Sequence, residues 1–255
     1  MPGVWSTNYW IILLIIFLRY AVLSLVAYLV YYVIFRHRWA FRKIQTGFPQ
    51  GSDYRREFLY SVFTAFIFAG IGYSLFGTGL RYYTQLYLNV ADYGWVYFGL
   101  SIPLMLIIHD TYFYWTHRAM HHPSVFRWFH KVHHLSTNPS PWASFAFHPL
   151  EAIVEAGVIV VIALIMPVHP LAIGLFLLIM MAYNVYGHLG YEVYPKGFSR
   201  SWLGRWINTS VNHNQHHQFF KGNYGLYFLW WDRWMGTLRS DYDRQFDDVK
   251  SRVAA

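Results

Sequence analysis

Residues 9–35 form an apolar run of 27 residues that carries a single charge, Arg19. About 20 apolar residues in a helix cross the hydrocarbon core of a bilayer. The run is therefore expected to be a membrane span, and it is too long for the core of a cleaved leader. Two more runs follow at 58–76 and 95–115, the second with Pro103 inside it as an expected kink. Residues 152–166 and 171–186 are shorter and are separated by Pro167-Val168-His169-Pro170. They are expected to form a helical hairpin that enters and leaves on one side, its arms short of a full crossing. Only 13% of residues are charged, about half the share of an ordinary globular domain. That is too little to cover a soluble surface, which argues against a soluble enzyme, a disordered chain or a coiled coil.

The formal charge is +8, and its placement matters more than its size. Arg36, Arg38, Arg42, Lys43, Arg55 and Arg56 fall between the first two spans, whereas only Arg81 lies between the second and third. Basic loops stay in the cytosol, so the excess points to a membrane rather than to nucleic acid. The third span then returns to the cytosol near Arg118, Arg127 and Lys131. The expected fold is one all-α, polytopic membrane domain over residues 1–255. It has three transmembrane helices (9–35, 58–76, 95–115), a helical hairpin (152–186) and a cytosolic cap (116–150 and 187–240). The stretch from Asp241 onward reads as a solvated end. With no Cys in the chain, disulfides, thiolate metal sites and iron–sulfur clusters are excluded.

Histidine is the unusual residue, with 14 copies. His117 and His121 are spaced i, i+4. His130, His133 and His134, and again His213, His216 and His217, are spaced i, i+3, i+4. On a helix such residues share a face. With His188 they make nine, all placed by the charge argument at the cytosolic end of the spans. A neutral imidazole binds Zn, Cu, Fe or Ni. Nine exceed the four ligands of one tetrahedral zinc, but they suit two metals with four or five ligands each. A His-rich membrane metal-binding or transport protein would also use such ligands, but within the spans near mid-membrane, where this chain has almost none.

His109, His122 and His148 are candidates for a further ligand or a supporting role, while His37 and His169 read as structural. A metal-bound imidazole donates its other N–H to an acceptor. Asp110, two turns before His117, is the leading candidate for that role. Asn184 and Glu192, which flank His188, are others, as are Glu151 and Asp232.

The series H-D-T-Y-F-Y-W-T-H-R-A-M-H-H, H-K-V-H-H, a lone His and H-N-Q-H-H, within residues 108–238, resembles the fatty acid hydroxylase and sterol desaturase superfamily. The stretches 139–151 and 212–233 resemble its C-5 sterol desaturase branch. The resemblance implies a non-haem di-iron site held by His117, His121, His130, His133, His134, His188, His213, His216 and His217, with zinc able to replace iron in purified protein. It implies O2 as co-substrate and a sterol or related membrane lipid as substrate, with a fatty-acyl or sphingolipid hydroxylase as the alternative. Electrons would come from a separate donor, a small haem cytochrome or a ferredoxin with its reductase. The endoplasmic reticulum and the bacterial inner membrane both fit.

Overall fold

The computed structural model describes residues 8–253. Among these residues β structure is limited to three isolated bridges; the rest is helix, turn and loop. α1 (Tyr9–Tyr28) starts on Asn8, whose side chain accepts the Trp10 N–H, and continues through a wider π turn, Leu29–Ile34. α2 (Gly51–Phe76) begins seven residues before the apolar run, because Gln50 and Asp53 form a reciprocal cap there. Hydropathy marks where that helix becomes apolar, not where it starts. α3 (Gly94–Met120) likewise runs past the apolar stretch to the first histidine pair.

α4 (Pro123–Phe129), α5 (Pro149–Ile165) and α6 (Pro170–Gly187) share one start signal. In each a His-Pro pair supplies the cap: the ring of His122, His148 or His169 accepts the backbone N–H two residues on. Proline fits the first helical position because its missing N–H would have no partner there.

Among the described residues four helices are long and apolar enough to cross a membrane: Tyr9–Ile34, Gly51–Phe76, Gly94–Met120 and Pro170–Gly187. Ile11, Leu14, Leu18 and Val22 on α1, and Leu171, Leu175 and Leu178 on α6, point outward at helical spacing, as a lipid-facing stripe requires. Inside, Met105, Val158, Ile162 and Phe176 form one apolar cluster, and Tyr20, Ala65, Phe145 and Met181 a second. The α5–α6 hairpin exists as expected; α6 is one of the four spanning-length helices, whereas α5, with 17 residues, is not. Val168 at the hairpin turn exchanges backbone hydrogen bonds with Gln85 and Tyr87, and the Tyr97 hydroxyl donates to the Pro167 carbonyl. The turn is therefore level with the first turn of α3, and both arms run the height of the bundle.

The far ends of α3 and α6, the N-terminal end of α5 and the α1–α2 connection all gather at the histidine-bearing end. There α7 (Ser210–Phe219), α8 (Trp230–Trp234) and α9 (Tyr242–Ser251) cap the bundle. The tail is not a free solvated end. Tyr242, Phe246 and Val249, one stripe of α9, are buried with Ile44, Val211 and Leu229, so the charged residues of α9 are the outer face of a docked amphipathic helix.

Asp110 ties cap to bundle. Its carboxylate, fully buried on α3, accepts the Tyr227 and Phe228 N–H groups at 2.7 and 3.2 Å and the Trp230 indole N–H at 2.7 Å. Asp110→Ala strands one buried donor, the Tyr227 N–H, at a cost of about 1–3 kcal/mol, and two part-buried ones. The expected result is a fall in thermal midpoint in detergent, with Asp110→Asn intermediate; an unchanged midpoint would contradict this anchoring role.

Candidate metal centre

α3 supplies His117 and, as its terminal cap, His121. α4 then turns the chain back so that His130 caps its end and a tight turn, His133–Leu135, presents two more rings. His188 caps α6, and α7 carries the last three. The nine rings converge in two groups. His117, His121, His130, His134 and His216 form one, and His133, His188, His213 and His217 the other. Within each group one nitrogen per ring lies within 4.8 Å of all the others. Eight of the nine are buried, and His121 is half-buried.

The triplets do not each present one face to one site. His213 and His217 face the four-ring group while His216 faces the five-ring group. At about 100° per residue, His217 lies about 40° from His213 but about 100° from His216, so α7 is wedged between the two groups. The 130–134 triplet is divided too, and no single α-helix carries it: α4 ends at Phe129, and His133 and His134 sit on a separate 3-10 turn.

Proton placement decides what these rings can do. His188 Nδ1 faces the Asn184 carbonyl at 2.8 Å and His217 Nδ1 the Ser136 carbonyl at 3.0 Å. A carbonyl oxygen only accepts, so both rings carry their proton on Nδ1. Their Nε2 lone pairs then meet 3.1 Å apart with no proton between them. In the other group His117 and His216 donate in the same way to the Tyr224 and Gly222 carbonyls at 2.9 and 2.8 Å. The Nε2 atoms of His121, His134 and His216 lie 3.0–3.1 Å from one another. Protonation does not relieve the crowding. Burial lowers the His188 pKa to about 4 and that of His121 to about 2. Burial and the neighbouring rings hold His130, His133, His134, His213, His216 and His217 well below the usual value. Neutral rings with lone pairs converging on one point fit a cation. Ligand nitrogens about 2.1 Å from one ion and about 90–100° apart stand about 3.0–3.2 Å from each other. Each group could therefore hold one metal ion.

The supporting contacts differ from the sequence expectations. Asp110 is not behind His117; it serves the 227–230 backbone. Glu192 accepts the Tyr194 and Val211 N–H groups at 3.0 and 3.1 Å, which sets the start of α7. Asp232 accepts from Tyr224 and Gly225 N–H at 2.9 and 2.8 Å and from the Thr237 hydroxyl. Asn184 does orient His188, but through its backbone carbonyl; its side chain donates to the Ser144 carbonyl. His109 bonds Tyr227 and lies outside both groups, and His122 and His148 are helix caps. Of the acids weighed, Glu151 touches a ring, with Oε1 2.6 Å from His130 Nδ1. The acids Asp232 and Glu192 act one step further out, on the backbone that carries or faces the rings.

The carbonyls of Ser136, Gly222 and Tyr224 have no sequence signal, since any residue supplies one. Gly222 has a partial one: it sits at φ 79 between Phe220 and Asn223, also left-handed, where glycine is unstrained. Glu57 was missed as well. It is fully buried and accepts from Ser140, while Arg56 donates to the Ser136 hydroxyl. Together they fix the loop that faces His217. Charges at the head of an apolar span were the available signal.

Removing a carboxylate behind a metal-bound histidine typically weakens metal affinity about 10–100-fold. Glu151→Ala should do so for metal held by the five-histidine group, read by chelator competition. Equal affinities before and after substitution would separate Glu151 from the site.

A family model described as Fatty acid hydroxylase matches residues 102–237. The chain is 33% identical over 161 residues to a Delta(7)-sterol 5(6)-desaturase of Gibberella zeae, covering 63% of this chain and 48% of that one. It is 35% identical over 169 residues to the lathosterol oxidase of Mus musculus, covering 65% and 54%. With the lathosterol oxidase of Homo sapiens it shares 30% over 188 residues, covering 73% and 61%. The chain thus spans about half the length of the curated relatives it matches. No solved structure matches it.

Proposed function

We propose, since this chain belongs to the fatty acid hydroxylase family, that it is an O2-dependent membrane lipid oxidoreductase of the sterol desaturase type. Its nine clustered histidines would hold two iron ions, five ligands on one and four on the other. The observation that carries this is the pair His188 and His217, two neutral buried rings whose lone pairs face each other at 3.1 Å. Such a pair serves a cation and little else. The names of the relatives supply the substrate class, a Δ7-sterol or a similar membrane lipid.

A C–H bond in a sterol ring has no acidic proton, so side-chain acid–base chemistry does not attack it; two irons held by these histidines would supply the oxidant. Forming a double bond removes two hydrogens from the lipid. With O2, two electrons and two protons the balance closes at two waters. Inserting a hydroxyl instead yields one alcohol and one water from the same inputs. The chain's own contribution is to fix the rings. Gly222, Tyr224, Ser136 and Asn184 lock the tautomers through their carbonyls, Glu151 takes the His130 N–H, and the buried cap excludes bulk water. The electrons come from a separate donor, a small haem cytochrome or a ferredoxin with its reductase. The excess of basic residues in the loops at the histidine end supports a cytosolic position for it, in the endoplasmic reticulum or a bacterial inner membrane.

The test is product analysis in membranes that contain the chain, supplied with lathosterol, a reductase system and O2. The expected product is two hydrogens lighter than the substrate. His133→Ala and His216→Ala, one from each group, should lower turnover roughly 100-fold or more while the protein still folds and inserts. A product one oxygen heavier would replace desaturation by hydroxylation. Undiminished turnover in either variant would contradict the metal assignment.

A further inference from the structure

We propose that an acidic one-electron carrier protein docks in the groove beside Tyr224 and delivers electrons to the five-histidine group first. This rests on the oxidoreductase reading, because only a redox-active centre needs such a donor. The groove has a volume of about 550 Å³, and its lining includes Arg118, Lys221, Gly222, Tyr224, Arg239 and Asp241. Three cations thus face one carboxylate, and that carboxylate is already held by two hydrogen bonds from the Arg239 guanidinium. Among the described residues Arg118 and Lys221 have no ion-pair partner, and both are exposed. A basic rim of this kind steers and orients an acidic partner.

The floor of the groove is what ties it to the site. Gly222 and Tyr224 are the residues whose carbonyls accept the Nδ1–H of His216 and His117. The Tyr224 ring also stands 5.2 Å from His121 and 5.6 Å from His216, centroid to centroid. A carrier seated there is one peptide and one hydrogen bond from two rings of the five-histidine group. The four-histidine group has no such outlet in this groove, since its acceptors are Ser136 and Asn184. Charge counted along the sequence suggests Arg118, Arg127 and Lys131 as the basic face. The groove keeps Arg118 and replaces the other two with Lys221 and Arg239. The stoichiometry also fits a one-electron carrier: each turnover needs two electrons, so two reduced carriers are oxidised in succession as the site is reduced. The chain itself has no Cys for an iron–sulfur cluster.

The test uses the full chain in neutral detergent and plant-type two-iron ferredoxin as the acidic carrier. Two quantities are measured: the Kd of oxidised ferredoxin for the metal-free and iron-loaded chain at low and raised salt, and the rate at which reduced ferredoxin reduces the iron-loaded chain, with dithionite as the small-molecule comparison. Binding should weaken with salt. Lys221→Glu and Arg118→Glu should each raise Kd about tenfold and slow reduction by ferredoxin to a similar degree, while dithionite still reduces the centre. Lys221 carries the test, because its exposed side chain leaves the fold alone, whereas Arg118 also donates to the Tyr114 hydroxyl. Unchanged Kd and rate in the Lys221 variant, with dithionite reduction intact, would overturn the docking proposal alone. Loss of binding to vesicles of anionic lipid, with ferredoxin kinetics unaltered, would make the groove a headgroup site and overturn it too. An iron-loaded parent chain that dithionite fails to reduce would sink both this proposal and the oxidoreductase reading.

Discussion

The structure is organised around a repulsion. Nine imidazoles, eight of them buried, converge on two points, and an acceptor behind His117, His130, His188, His216 and His217 turns the bare nitrogen of each inward. Neutral lone pairs 3 Å apart push on each other, and in a dry interior nothing screens them. The fold tolerates this because His117, His188, His216 and His217 are pinned from behind by backbone carbonyls, which have no proton to give back. Once the tautomers are fixed in this way, a cation at each point turns the repulsion into attraction. The ends of α3 and α6 and the whole of α7 are placed so that this convergence occurs at one end of the membrane bundle.

The two groups are not equivalent. The five-histidine group has a carboxylate behind it, since Glu151 takes the His130 N–H at 2.6 Å. In the four-histidine group the identified acceptors are carbonyls, those of Asn184 and Ser136. A carboxylate behind a ring makes that ring a stronger donor to its metal. The two ions would therefore differ in ligand number and in ligand basicity. The remaining buried acids work at a distance: Asp110 and Asp232 hold the 224–230 backbone, and Glu192 holds the head of α7. That backbone includes Tyr224, whose carbonyl locks His117, so the acids shape the site without touching it.

Much of this was legible in the sequence, and the parts that were not have physical reasons. Apolar run length located every long helix, but it missed the polar first turns of α2 and the last turn of α3, where capping and tertiary packing extend a helix beyond its apolar residues. Helical spacing marks eight of the nine converging rings, and the ninth, His188, stands alone in the sequence at the end of its apolar run. Spacing fails on how the rings divide, because it says which residues share a face and not that a helix can be wedged between two sites. For the acids, the signal in the sequence is angular proximity to a histidine. That favours Asp110 over Glu151, although the contact between Glu151 and His130 depends on how α4 folds back, which no local pattern encodes. Two signals were present and unread. The pairs His122-Pro123, His148-Pro149 and His169-Pro170 each announce a helix start, which accounts for three of the surplus histidines. The stripe Tyr242, Phe246 and Val249 announces an amphipathic helix in a tail whose charges suggest solvent. The carbonyls of Ser136 and Tyr224 leave no trace in residue identity, and that of Gly222 leaves only the glycine its left-handed turn favours.

The central claim is that the two histidine groups are paired metal sites. It is tested most directly by counting metal per chain on protein purified from iron-supplemented cells, with Mössbauer spectra recorded on the same sample. The account predicts two irons per chain in two distinguishable histidine-rich environments. A folded chain that binds no stoichiometric metal, or that saturates at one ion, would contradict it.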